Sequence, residues 1–327
     1  MKAKIFLLIS IISIGTSYAN DELLSDPNLC PSLTATNRAQ ITTYTGSWPN
    51  CKHLIDHLTI RDVNYDKSNT SSYLIKDFDK IEEIDNLIIS STAKNYADLS
   101  LFFFSSLKKI NSDITLDNIS ISSGFQNLTS IENMTLKNGN NAKFPLVEKI
   151  NNLSIFGEEN NIIYGFESFT TLKEVDGELK ISNLLIKDLS GLPKLKSVNN
   201  FIIKNNPWLA ELNLPSIRTI NYLSIENNSF FQDLKSLSKS EVGTLRLINL
   251  QNLYSLNGIP YHLDKLIIDN VPLNDVSALE GVNIDINKPL EISLINATGS
   301  EDYLCELLEP VIEKNQNISA PQCDFNH

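Results

Sequence analysis

Two histidines and a carboxylate stand within five residues at His53-Leu54-Ile55-Asp56-His57, the residue types and i, i+4 spacing with which a helix grips zinc. The segment runs directly into Leu58-Thr59-Ile60, whose alternation marks a strand, where the two imidazoles need not converge. No metal site is therefore expected. Three acids, Asp117, Glu226 and Asp269, fall at outward positions of short strands, from which a carbohydrate-active β-helix would draw paired carboxylates. Each is set among Thr, Lys, Ser and Ile, as solvated strand residues are. No Gly-x-Ser-x-Gly elbow or Gly-x-x-x-x-Gly-Lys loop occurs, and the only other histidines are His262 and His327. The expectation is a chain with no catalytic residues and no cofactor.

The elements that carry these residues repeat. An apolar-x-apolar-x-Asn pattern ends at Asn118, Asn138, Asn183, Asn205, Asn227, Asn249, Asn270 and Asn296; Leu153 to Gly157 lacks the Asn, and Leu58 to Asp62 and Leu87 to Ser91 fit more loosely. From Asp62 to Asn296 the final positions are 29, 27, 20, 19, 26, 22, 22, 22, 21 and 26 residues apart. Strict alternation over so few residues means a strand with one buried face, and a strand that short must stack on the next copy. A second apolar signal precedes the strands, as in Leu195-Lys196-Ser197-Val198 before Phe201, and faces the same core. The predicted fold is mainly β, a β-solenoid over residues 58–299 with a cap at each end.

The Asn column is read as a structural ladder. An amide offers both a donor and an acceptor, so stacked Asn side chains would satisfy backbone groups buried where the chain leaves each strand. The sequons at Asn118, Asn227 and Asn296 would then be inaccessible, while those at Asn69, Asn127, Asn133, Asn152 and Asn317 lie off the column.

Residues 1–19 read as an export signal: Lys2 and Lys4, an apolar run from Ile5 to Ile14, then Ser17-Tyr18-Ala19. That run is too short to span a bilayer, the polar C-terminus lacks the tail of a lipid-anchor signal, and no Cys follows the cleavage site. Cleavage removes two Lys and takes the formal charge from −12 to −14. Such acidity disfavours nucleic acid and anionic lipid. The expected protein is soluble and exported, periplasmic, extracellular or at the cell surface. Four Cys in an exported chain point to two disulfides with three possible connectivities. Cys30 and Cys51 precede the repeats and Cys305 and Cys323 follow them, so pairing within each end is the economical choice. Residues 20–57 form the N-terminal cap. Residues 300–327 form the C-terminal cap, with Leu304, Leu307, Leu308, Val311 and Ile312 on one helical face.

Three motifs carry a resemblance. Asn50-Cys51-Lys52-His53-Leu54-Ile55-Asp56-His57-Leu58-Thr59-Ile60, with Cys30-Pro31 upstream, resembles the opening motif of the receptor L domains found in insulin-type and epidermal-growth-factor-type receptors. Val175-Asp176-Gly177-Glu178-Leu179-Lys180-Ile181 is similar to that family's turn and strand. Phe201-Ile202-Ile203-Lys204-Asn205-Asn206, followed by Leu214-Pro215-Ser216-Ile217-Arg218-Thr219-Ile220, is a third match. The resemblance, from Cys30 to about Asn296, implies a right-handed, leucine-rich-repeat-like solenoid that binds a ligand. The chain lacks the Cys-rich region, transmembrane helix and kinase of such receptors, and its solenoid is longer than one ordinary L domain.

The best binding candidate is the outward strand face, where Thr135, Lys137, Phe156, Lys180, Ser182, Ile202, Lys204, Ser224, Glu226, Arg246, Ile248, Ile267 and Asp269 alternate with the core positions. Apolar side chains beside charged ones suit a contact patch, although Ile is also simply a good strand residue. Trp208 and the run Phe102-Phe103-Phe104 are further aromatic candidates. The expected function is non-catalytic recognition of a protein or glycan through the solenoid surface. The alternatives are a structural component of the envelope or wall and, least favoured, a β-helix glycan enzyme.

Overall fold

A strand of five residues is stable only where neighbours cover its inner face and complete its hydrogen bonds, and the chain meets both needs with its own repeats. The computed structural model describes residues 26–62, 78–92, 97–98, 104–120, 124–138, 142–158, 167–295 and 301–323. The export segment, Asn69, Phe102, Phe103, Asn296 and His327 lie outside the described residues. In chain order the strands are β1 (Leu29–Cys30), β2 (Leu33–Ala35), β3 (His53–Arg61), β4 (Glu83–Ser90), β5 (Ala97–Asp98), β6 (Lys109–Asp117), β7 (Ile119–Ser120), β8 (Ser130–Lys137), β9 (Lys149–Ile150), β10 (Asn152–Phe156), β11 (Glu174–Ser182), β12 (Ser197–Lys204), β13 (Thr219–Glu226), β14 (Glu241–Ile248), β15 (His262–Asp269), β16 (Leu290–Ile295) and β17 (Ile318–Ser319).

Fifteen of these form one parallel sheet in the order β1-β3-β4-β6-β8-β10-β11-β12-β13-β14-β15-β16-β17, with β2 beside β3 and β9 beside β11. Consecutive strands pair in sequence order through about 10 turns, which makes the chain a parallel β-solenoid. The two loosely fitting segments, at Leu58 and Leu87, are coils like the rest. Because β3 starts at His53, residues 53–57 belong to the first coil and not to the cap assigned from sequence.

The register stacks like on like. Leu179, Phe201, Leu223, Leu245 and Leu266 form one inward row, and Ile181, Ile203, Ile225, Leu247 and Ile268 form the next, each at most 1% exposed. Fully burying one such side chain contributes roughly 1.5–3 kcal/mol. A third row was not foreseen. Phe78, Phe104, Phe125, Phe144 and Phe169 stack ring on ring at 5.2–5.8 Å, with planes within 22° of parallel. Each opens a turn closed by an N–H three residues on, at Ile81, Leu107, Leu128, Val147 and Leu172; Leu192 and Leu214 open the equivalent turns of later coils. The Phe half of the solenoid is the half with irregular coil lengths, and the Leu half is the one near 22 residues.

Both edges of the sheet end in strands of two or three residues. An unpaired edge strand templates association, and here β1 and β2 cover β3 while β17 covers β16. The disulfides Cys30–Cys51 and Cys305–Cys323 tether these covering strands. The helix Glu301–Lys314 buries Leu304, Leu308 and Val311 as its periodicity requires. A second helix, Arg38–Ser47, lies within the N-terminal cap. Its signal is local: the Asn37 Oδ1 accepts the Gln40 N–H at 3.1 Å, and the Gln40 Oε1 accepts the Asn37 N–H at 3.3 Å.

Candidate binding surface

At the end of each strand the chain turns through left-handed backbone. Asp62, Asn118, Asn138, Asn183, Asn205, Asn227, Asn249 and Asn270 all have φ between +50° and +57°. An L-residue there costs roughly 1–2 kcal/mol, and Asn is the side chain that tolerates it best after Gly. This backbone demand sets the spacing of the column. Its amides also stack: Asn227 Nδ2 donates to Asn205 Oδ1 at 3.0 Å, Asn249 to Asn227 at 2.7 Å and Asn270 to Asn249 at 2.7 Å.

Burial of the column differs from the expectation. Asn118 and Asn138 are buried as expected, but Asn183, Asn205 and Asn227 are exposed although all five share the same left-handed φ; in those later coils the next residue, Leu184, Asn206 or Asn228, is fully buried. The sequon at Asn227 is thus at the surface. The buried amides stand one residue further on. Asn206 and Asn228 are 0% exposed. Asn206 Nδ2 donates to the Ile181 carbonyl at 3.2 Å while its Oδ1 accepts the Leu184 N–H at 3.0 Å. Asn228 repeats this one coil later, donating to the Ile203 carbonyl at 3.0 Å and accepting the Asn206 N–H at 2.8 Å. Asn118 and Asn138 do pair backbone at the turn, with the Ser91 carbonyl at 2.9 Å and the Glu158 N–H at 2.8 Å, and in the later coils that role passes to this inner pair, flanked by Leu184 and Leu250 in the neighbouring coils.

The outward face is built by the same register. Lys180, Ile202, Ser224, Arg246 and Ile267 lie side by side in one row, and Ser182, Lys204, Glu226, Ile248 and Asp269 in the next. Lys180, Ile202, Lys204, Glu226, Arg246, Ile267 and Asp269 are half-buried, held by their neighbours yet open to solvent. Ser182, Ser224 and Ile248, expected on this surface, are 2%, 1% and 8% exposed. Longer neighbours explain Ser224: its hydroxyl donates to Glu226 Oε1 of the same strand at 2.6 Å, and Arg246 reaches that carboxylate at 3.2 Å from the next strand. Trp208 lies elsewhere, exposed in the turn after β12.

The groups that would do chemistry are dispersed. His53 Nε2 is 2.9 Å from Asp85, while His57 contacts Asp56 at 3.0 Å and Thr34 at 3.3 Å. Asp56, at φ 70°, bulges the strand between the two rings. Among the described residues no three His, Cys, Asp or Glu side chains are placed to hold a metal ion together. Asp117 is paired with Lys137, Glu226 with Arg246, and Ile248 fills the register position between Glu226 and Asp269.

Asp85 is the most embedded of the acids at the corner of the first coils. Partial burial raises its pKa, but hydrogen bonds from Asn111, His53 and the Asp56 N–H, with the imidazole's charge, outweigh that and hold the carboxyl below the usual range. A depressed carboxyl contributes stability above its unfolded pKa of about 3.9, and that contribution is lost as pH falls through the folded value. Asp85→Ala therefore lowers the melting temperature at pH 7, and the gap to wild type closes below about pH 4. A gap independent of pH would refute the assignment.

Comparison of the chain with known protein families, with curated proteins and with solved structures returns no match.

Proposed function

We propose that this chain is an exported, non-catalytic binding module of the receptor L-domain type, a right-handed leucine-rich-like solenoid that recognises a protein or glycan partner through its outward strand face. The observation that carries the reading is the half-buried field formed by Lys180, Ile202, Lys204, Arg246, Ile267 and Asp269. Apolar and charged groups alternate there on a rigid parallel sheet, and the Arg246–Glu226 pair is already in place. Preorganised side chains lose little entropy on binding, and mixed apolar and charged surface gives both affinity and orientation. Two disulfides fit an oxidising compartment. No described helix is long and apolar enough to cross a membrane. Very short, disulfide-tethered edge strands favour a discrete module over a spacer that extends by stacking end to end.

The test is capture by the immobilised mature chain from envelope and extracellular fractions. Wild type is expected to retain a saturable partner that Ile202→Asp and Arg246→Glu both lose, with melting curves unchanged. Equal retention by all three proteins would contradict the reading. Fractionation with the envelope without any saturable ligand would favour a structural role. Polysaccharide turnover lost on changing Asp117 or Asp269 would favour an enzyme.

A further inference from the structure

Away from the strand face, three large aromatics stand in solvent on consecutive coils. Trp208, Phe230 and Tyr254 are 49%, 59% and 49% exposed, in the turns that follow β12, β13 and β14. Core packing does not account for them, because the adjoining Leu209, Phe231 and Leu253 are each 0% exposed and already fill the interior. The turns are joined by hydrogen bonds. The Phe230 N–H donates to the Pro207 carbonyl at 3.3 Å, the Gln232 N–H to the Ala210 carbonyl at 3.0 Å, and Asn252 Nδ2 to the Ser229 carbonyl at 2.5 Å. The Asn274 N–H donates to the Tyr254 carbonyl at 2.8 Å, so the following coil holds the third turn. Trp208 and Phe230 occupy the same repeat position 22 residues apart, and Tyr254 is displaced two residues along its coil. The rings thus form an oblique strip on a fixed backbone, one per coil, with coils about 4.8 Å apart.

We infer that this strip binds a neutral polysaccharide chain. A pyranose ring has a face of C–H groups and a rim of hydroxyls, so it is recognised by a flat aromatic surface beside amides and hydroxyls. The strip supplies the rings, and the turns carrying them supply exposed Gln232 and half-buried Ser229 and Asn252. A linear chain can meet one ring per coil in succession. The formal charge of −12 repels polyanionic glycans, and the polar groups flanking the rings, Ser229, Gln232 and Asn252, are uncharged, which fits a neutral chain. This inference does not rest on the strand face and stands or falls separately.

The full chain is run in native gels containing neutral polysaccharides, among them glucans, mannans, xylan and soluble chitin derivatives, with a polyuronate as control. Emission of the chain's two tryptophans is followed in parallel with the matching oligosaccharides. At least one neutral glycan is expected to retard migration and shift the emission saturably. Phe230→Ala is expected to weaken retention about tenfold with the Trp208 signal intact. Trp208→Ala is expected to abolish the emission shift, Ile202→Asp to leave retention unchanged, and all three variants to melt as wild type does. Retardation by none of the neutral glycans, retention indifferent to Trp208 and Phe230, or equal retention by the polyuronate would overturn the inference. So would a protein partner lost on changing Trp208.

Discussion

Phe125→Ala is expected to lower the unfolding free energy by about 3–5 kcal/mol, the cost of emptying a large buried aromatic site. Phe125 is 0% exposed and lies in the ring stack, 5.7 Å from Phe104 and 5.2 Å from Phe144. Neighbouring coils are fixed by their ladders on either side, so the gap closes poorly and both rings lose a contact face. Denaturant titration of the variant against Phe230→Ala is the check, since Phe230 is 59% exposed and its removal is expected to cost no more than about 0.5 kcal/mol. Similar losses for the two would mean that the stack does not hold the first half of the solenoid together.

The second large effect separates the two kinds of Asn at one turn. Asn228→Ala removes the donor to the Ile203 and Glu226 carbonyls and the acceptor of the Asn206 N–H, at a site water does not reach. Groups left unsatisfied cost about 1–3 kcal/mol each, so a loss of about 3 kcal/mol or more is expected. One residue earlier, Asn227 is exposed at φ 54°. Asn227→Ala should cost about 1–2 kcal/mol for the backbone conformation, and Asn227→Gly close to nothing. Equal effects at positions 227 and 228, measured in the same titrations, would refute the division into an outer and an inner amide.

That division also marks the limit of what local sequence encodes. The coils were legible because alternation over Leu-x-Ile-x-Asn has one physical meaning, and even the loose copies at Leu58 and Leu87 proved to be strands. The disulfide pairs and the capping face of Leu304, Leu308 and Val311 were legible for similar reasons. Asn205-Asn206 and Asn227-Asn228, however, put two amides side by side. Which of them faces inward is not encoded by the period-two rule: in these two coils it is the second, whereas Asn118 and Asn138 are buried in the column as expected. The phenylalanine row had a signal, a Phe three residues before an apolar residue ahead of each early strand, but the variable loops hid its period. Helix Arg38–Ser47 had only its capping box to announce it. On the candidate surface, Ser224 is covered by Arg246 from the next coil together with Glu226 of its own strand, and Ile248 sits in register between Glu226 and Asp269 of the adjoining coils; these cross-coil neighbours, about 20 positions away, are encoded by no local pattern. Trp208 stands alone in the sequence, and only the stacking of successive coils brings Phe230 and Tyr254 to the neighbouring turns.

The central claim, recognition through the outward strand face, is tested most directly by a photo-crosslinking residue placed at Ile267 in β15, with a control at Leu146 in the turn before β9. Both positions are open enough to accept it. Irradiation with the extracellular and envelope fractions should give a discrete adduct from position 267, competed away by unlabelled wild type, and none from 146. Adducts of equal yield at both positions, or a competed adduct at 146 alone, would contradict the account.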